Sequence, residues 1–201
     1  MDAVKNGCLA LILFLTLGHA VAAPEQANPK TAFQLVKDGD AMLAPKARDQ
    51  ILNIRSEPSE HGLVPTTWYI LYRDVDTLFD SRELHFHNNR LEGVKKPKRL
   101  QQPFQGEEQV IPARWRKVDS DKVLEIVAGV NLVKDINLHS SQMWLQWEQG
   151  QAVWKVRLWG EHRSDGKPVE LGEVYVSPET GEVMLVDLSS RRLGMSRWKT
   201  E

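Results

Sequence analysis

The chain has 201 residues, a formal net charge of −1 and a single cysteine. A net charge this close to zero excludes a global field that would attract nucleic acid or anionic lipid, so we expect no nucleic-acid partner. Because the only cysteine is Cys8, a chain that loses its N-terminus has no disulfide, no thiol nucleophile and no thiolate metal ligand.

The N-terminus has the pattern of a cleavable secretory signal peptide. Lys5 precedes an apolar run from Cys8 to Leu17, and small residues follow over 20–23. The run of about ten residues is too short to cross a bilayer as a helix, and no later stretch is apolar enough to do so. We therefore expect residues 1–23 to be removed, no transmembrane segment after cleavage, and a periplasmic or secreted protein.

The first half is predicted to contain a flexible polar leader over 24–30 and an N-terminal α+β unit over 31–97. Thr31 and Gln34 have the spacing of a capping box, which predicts the start of a helix. Pro45 ends that helix or restarts it. Residues 51–54 suit either a helix or a strand, and we favour a strand. Aromatic and β-branched residues and apolar alternation then predict strands over 67–73, 82–87 and 90–94.

The second half follows a proline-containing connector over 98–114 and forms a second unit over 115–190, with a basic tail over 191–201. Asp119 or Ser120 can cap a helix whose apolar residues recur at i, i+3, i+4 and i+7. The strand at 153–159 has the clearest alternation, with Lys155 and Arg157 facing away from its apolar side. Further strands are predicted over 143–147, 172–177 and 182–187.

The two halves contain the same elements in the same order. Each has a helix, a first strand, a strand centred on tryptophan and a closing hairpin, with Trp68 and Trp154 in equivalent places. We interpret this order as a degenerate tandem duplication of one α+β unit. The sequence leaves open whether the units share one sheet or pack as two domains.

The second half also carries a recognisable motif. It consists of Val153-Trp154-Lys155-Val156 followed by the hairpin from Tyr175 to Val183, which contains Thr180-Gly181. In this motif residues 119–187 resemble the PepSY domain, a module also found in the propeptides of thermolysin-like proteases. Ser177 stands where that family usually has aspartate.

The resemblance implies one helix on an antiparallel sheet, similar to the cystatin arrangement. It also implies a role in binding, in protease inhibition or in assisting the folding of attached enzymes, without catalytic residues. Trp154 is then expected to fill the space between helix and sheet, and Gly181 to close the hairpin with a positive φ. The expected fold class is α+β, with two related helix-on-antiparallel-sheet units.

One strand presents candidate metal ligands. Glu83, His85 and His87 alternate with apolar residues, so they share one face of the strand. A carboxylate and two imidazoles side by side are a possible metal site. We favour an ordinary solvated strand face, because no spacing supplies a further ligand, and we expect no cofactor.

Tryptophans provide the candidate contact residues for a partner. We expect Trp144 and Trp154 to point inward and Trp147 and Trp159 to lie on the opposite strand faces. Two tryptophans on an outer face suit partner contact unless another part of the chain covers them.

The sequence contains no nucleophile elbow, phosphate-binding loop, zinc-protease motif or paired-acid motif, so we do not expect an enzyme. The predicted function is an exported, non-catalytic module that binds a protein or peptide. The alternatives are a small-molecule carrier, with a cavity lined by Trp68, Tyr72 or Trp154, and a metal-binding protein or hydrolase.

Overall fold

The computed structural model describes residues 28–77, 80–95, 109–133, 136–161 and 167–189. The helices are α1 (Ala32–Met42) and α2 (Ser120–Ala128), and a 3₁₀ turn lies at Ala113–Trp115. The strands, in chain order, are β1 (Ile51–Ser56), β2 (Thr67–Arg73), β3 (Ser81–His87), β4 (Arg90–Lys95), β5 (Leu138–Glu148), β6 (Gln151–Glu161), β7 (Pro168–Val176) and β8 (Val183–Leu188). The expected signal peptide and basic tail lie outside the described residues.

The eight described strands form one antiparallel sheet in the order β4-β3-β2-β1-β5-β6-β7-β8. Strands β1 to β4 form one meander and strands β5 to β8 a second, and the sheet is continuous because β1 pairs with β5. In that central pair Ile54 lies opposite Leu145 and Arg55 opposite Trp144. The sheet therefore runs unbroken across the boundary that the sequence suggested.

The predicted fold class, with two helix-on-sheet units arising from a tandem duplication, is wrong. The structure is dominated by a single sheet, and the two described α-helices have only 11 and 9 residues. The apolar pattern of each half is satisfied by a shared sheet as well as by two separate ones. The pairing of β1 with β5 makes the sheet a single one, and the local sequence of neither strand indicates this pairing.

The individual strands and helix starts were predicted more accurately. In β2 burial alternates along the strand, with Trp68, Ile70 and Tyr72 on the covered face. The capping box of Thr31 and Gln34 is present at the start of α1. Period-two and capping patterns depend on neighbouring residues alone, which is why the sequence shows them directly.

The N-termini of the two helices are held together by one carboxylate. Asp119 is the N-cap of α2 and accepts a hydrogen bond from the Ser120 N–H at 2.7 Å. The same side chain accepts from the Phe33 N–H at 3.0 Å and from the Thr31 hydroxyl at 2.5 Å. Because orphan N–H groups at both helix ends find partners here, the helices are fixed side by side on one face of the sheet.

The core lies between these helices and the sheet. Tyr72 donates its hydroxyl proton to the Val36 carbonyl at 3.2 Å, and Trp154 donates its indole N–H to the Val118 carbonyl at 2.9 Å. The Phe33 ring lies 5.9 Å from that of Trp154. The side chains of Tyr72 and Trp154 are fully buried, so the Tyr72 hydroxyl and the Trp154 indole N–H need these carbonyl acceptors. In the described ranges no helix has the length and apolar character needed to cross a membrane.

Candidate functional site

The face of the sheet opposite the helices is called here the open face. One line of residues in mutual register crosses it from β3 to β8, and we call this line the cation–aromatic row. Its members are His85, Tyr69, Arg55, Trp144, Lys155, Tyr175 and Leu185. Strand alternation places them together, because each lies one position away from a core residue.

The β1–β3 part of the row is a stack. The rings of Tyr69 and His85 are parallel, with centroids 4.5 Å apart. The guanidinium of Arg55 lies 3.8 Å from the Tyr69 ring centroid and pairs with Glu83 at 3.3 Å. Arg55 has both a ring and a carboxylate beside it, so its side chain is held in place rather than free in solvent.

The β5–β7 part of the row is organised around Glu173. This carboxylate pairs with Lys155 at 2.9 Å and Arg157 at 2.7 Å, and accepts from the Tyr175 hydroxyl at 2.8 Å. Arg157 also lies 5.2 Å from the ring centroid of Trp144. Burial alone would raise the pKa of Glu173, but hydrogen bonds from these three donors outweigh it and hold the pKa below its usual value.

Replacing Glu173 with glutamine is expected to destabilise the protein by roughly 1–3 kcal/mol near pH 7, because two half-buried cations lose their counter-charge. Since the folded-state pKa is depressed, the stability from this group is present above the unfolded pKa of about 4.3 and is lost as pH falls below it. Urea titrations of wild type and Glu173→Gln at several pH values should therefore converge in acid.

The matched control is Glu179→Gln. Glu179 pairs with Lys117 at 2.8 Å, but both side chains are exposed, so the expected change is about 0–1 kcal/mol. Equal effects of the two substitutions would contradict a special role for the Glu173 cluster.

The two edge strands of the sheet differ in composition. β4 carries three charged residues among six and pairs with β3 through a bulge. β8 has the sequence Val-Met-Leu-Val-Asp-Leu, and its apolar Met184 and Leu185 are 38% and 53% exposed. Charges, proline and bulges are the usual means of blocking an edge against further pairing. Both edge strands pair through a register shift, but β8 has only one charged residue among six, so β8 is the less protected edge.

The hydrogen-bonding direction of β8 follows from its junction with β7. The Ser189 N–H donates to the Leu171 carbonyl at 2.7 Å, and the register from Gly172–Leu188 to Tyr175–Leu185 is regular. In an antiparallel ladder the bonded pairs alternate with unbonded ones. Leu185 and Asp187 therefore bond to β7, and Val186 and Leu188 direct their backbone N–H and C=O groups outward.

No protein-family model matches this chain, and no curated protein and no solved structure gives a significant match to it. The resemblance of residues 119–187 to the PepSY domain therefore stays a prediction.

The three candidate metal ligands share a strand face but have separate partners. Glu83 pairs with Arg55, and His85 stacks on Tyr69. His87 makes a 2.7 Å hydrogen bond with the Thr67 hydroxyl. Within the described ranges, no three His, Cys, Asp or Glu side chains are close enough together to hold a metal ion.

The expected orientations of Trp144 and Trp147 are wrong. Trp147 lies opposite Ala152 on the helix-covered face, where its ring meets that of Trp115 at 5.3 Å. Trp144 lies on the open face, as Trp159 does. The sequence contains a marker for this choice. Met143 and Leu145 share the strand face of Trp147, whereas Gln142 and Gln146 share that of Trp144.

The other singled-out residues lie in the core or at a turn. Trp68 is 2% exposed and donates its indole N–H to the Pro65 carbonyl. Trp68, Tyr72 and Trp154, which the carrier alternative placed around a cavity, all pack within the core. Gly181 has φ 78° in the β7–β8 hairpin.

Neither the cation–aromatic row nor the β8 edge is predicted by the sequence. Lys155 and Arg157 were correctly placed away from the covered side of β6, which was the available signal. Their meeting with Trp144 and Glu173 depends on strand register. The exposure of β8 depends on its position at the end of the sheet order.

Proposed function

We propose that this chain is an exported, non-catalytic binding protein that engages a protein partner by adding an extended segment of that partner to β8. The observation that carries the proposal is the largely apolar edge strand Val183–Leu188, which has a single charged residue. Addition of a strand to a sheet edge gives affinity through backbone hydrogen bonds and specificity through alternate side chains.

The backbone of β8 supplies the first part of such an interaction. Among the strands that the structure describes, none lies beside the outward N–H and C=O groups of Val186 and Leu188, because β8 is the last strand in the sheet order. A partner strand would continue the ladder at the ordinary spacing of about 4.8 Å. The β7–β8 pairing holds these groups in an extended conformation in advance, which lowers the ordering cost of binding.

The side chains of β8 supply the second part. Val186 and Leu188 pack partly against the core, and Leu185 lies on the open face next to Tyr175. An incoming strand would therefore cover apolar surface on both faces of the sheet, which is the main favourable contribution in protein association.

The test is a pair of substitutions at Val186. Proline removes the outward N–H without removing a bond to β7, a position where edge strands tolerate it. Threonine keeps both the N–H and the β-branched shape. We expect the partner captured from the native cell envelope, once identified and purified, to bind the Val186→Thr chain normally in calorimetry and the Val186→Pro chain at least tenfold more weakly.

Equal binding of that partner to both variants would show that β8 is not the contact. Co-purification of a stoichiometric small molecule, with no protein partner, would instead favour the carrier alternative.

A further inference from the structure

We infer that the segment added to β8 is basic, with a lysine or arginine opposite Asp187 and an apolar residue two positions later opposite Leu185. The inference depends on the proposed function, since it names the chemistry of the strand that β8 receives. It follows from the charges that the sheet brings together at this edge.

A second line of residues crosses the open face beside the cation–aromatic row. Gln142, Arg157, Glu173 and Asp187 lie opposite one another on β5 to β8. Two carboxylates, those of Glu173 and Asp187, are thus direct cross-strand neighbours, an arrangement that is unfavourable for like charges.

Glu173 is already satisfied within the protein. Its carboxylate forms ion pairs with Lys155 and Arg157 and accepts a hydrogen bond from the Tyr175 hydroxyl. The Asp187 side chain is exposed on the last strand of the sheet. In the described part of the chain, no lysine or arginine lies within ion-pair distance of it. A cation on a ninth strand would be the missing neighbour in this line.

The ladder geometry places such a cation at short range. Asp187 bonds to β7, so on its outer side it would form an unbonded pair with an antiparallel strand. In unbonded pairs the Cα atoms are about 4.5 Å apart, closer than in bonded pairs. The same geometry applies to Leu185, which favours an apolar contact there.

Read along an antiparallel partner, the expected pattern is apolar, basic, apolar, apolar, opposite Leu188, Asp187, Val186 and Leu185 in turn. Pairing between the β8 strands of two copies does not fit the pattern. β8 contains no lysine or arginine, so within such a pair Asp187 lies opposite an apolar residue or another aspartate.

The test uses two capped peptides, Thr-Val-Lys-Val-Leu-Thr and Thr-Val-Glu-Val-Leu-Thr, titrated into the isotope-labelled chain and followed by backbone amide resonances. We expect the lysine peptide to perturb Val186 and Leu188 and to bind two- to fivefold more tightly than the glutamate peptide. In Asp187→Lys the order of affinities should reverse, and Val186→Pro should abolish both.

The outcomes separate this inference from the proposed function. Equal affinities that Val186→Pro still abolishes would overturn the basic partner and leave edge pairing standing. Binding that Val186→Pro does not affect would overturn both. Concentration-dependent dimerisation that Val186→Pro removes would make a second copy the occupant and overturn the basic partner. Failure of the lysine peptide to bind would overturn it as well.

Discussion

Replacing Gly172 with alanine is expected to destabilise the protein by at least about 3 kcal/mol. Gly172 has φ +132° in β7, a conformation that other residues rarely adopt. A Cβ atom at this position would also overlap the Asp187 carbonyl oxygen on β8. Relief of that overlap requires β8 to move away from β7. Urea denaturation followed by tryptophan fluorescence measures the loss.

Gly93 provides the control, because it lies in the other edge strand, has nothing near its Cβ position and does not have a positive φ. Gly93→Ala should change the free energy of unfolding by about 0.5 kcal/mol or less. If Gly172→Ala were equally mild, the close approach of β7 and β8 at this position would be incorrect, and with it the placement of Asp187 beside Glu173.

Replacing Trp154 with alanine is expected to destabilise the protein by about 3–5 kcal/mol. The side chain is fully buried, contacts the Phe33 ring and donates to the Val118 carbonyl. Truncation would leave a cavity between α1, α2 and β6 and an unsatisfied buried carbonyl. Thermal and urea unfolding of the purified variant measure the effect.

Trp144→Ala is the comparison, since it removes the same side chain from the open face, where the ring is partly exposed. The transfer and cavity contributions are smaller there, and we expect a loss of about 1 kcal/mol. A Trp154→Ala chain that unfolds no more easily than Trp144→Ala would contradict the assignment of the two strand faces.

The sequence predicts those features of the fold that depend on near neighbours. The capping box at Thr31, the alternation in β2 and β6 and the turn before Val183 are all local patterns, and the structure confirms these elements. The predicted fold class is wrong because the fold depends on one long-range strand pairing, that of β1 with β5, in which Arg55 lies opposite Trp144.

The same limit applies to the candidate sites. Glu83, His85 and His87 are visible as a pattern because they share a strand, although each has a separate partner in the structure. The Glu173 cluster draws its residues from neighbouring strands, so it appears only when the register is known. The distinction between the two edges likewise requires the strand order, which the alternation of single strands does not contain.

The central position of β1 has a consequence for synthesis of the chain. β1 is made early, but its neighbour β5 begins only at Leu138, and the carboxylate that caps α1 belongs to Asp119. Until these residues have been synthesised, β1 has an open edge beside its buried Ile51 and Ile54. Nascent chains that stop after β4 would aggregate through that edge, so the protein gains protection against self-association only late in its synthesis.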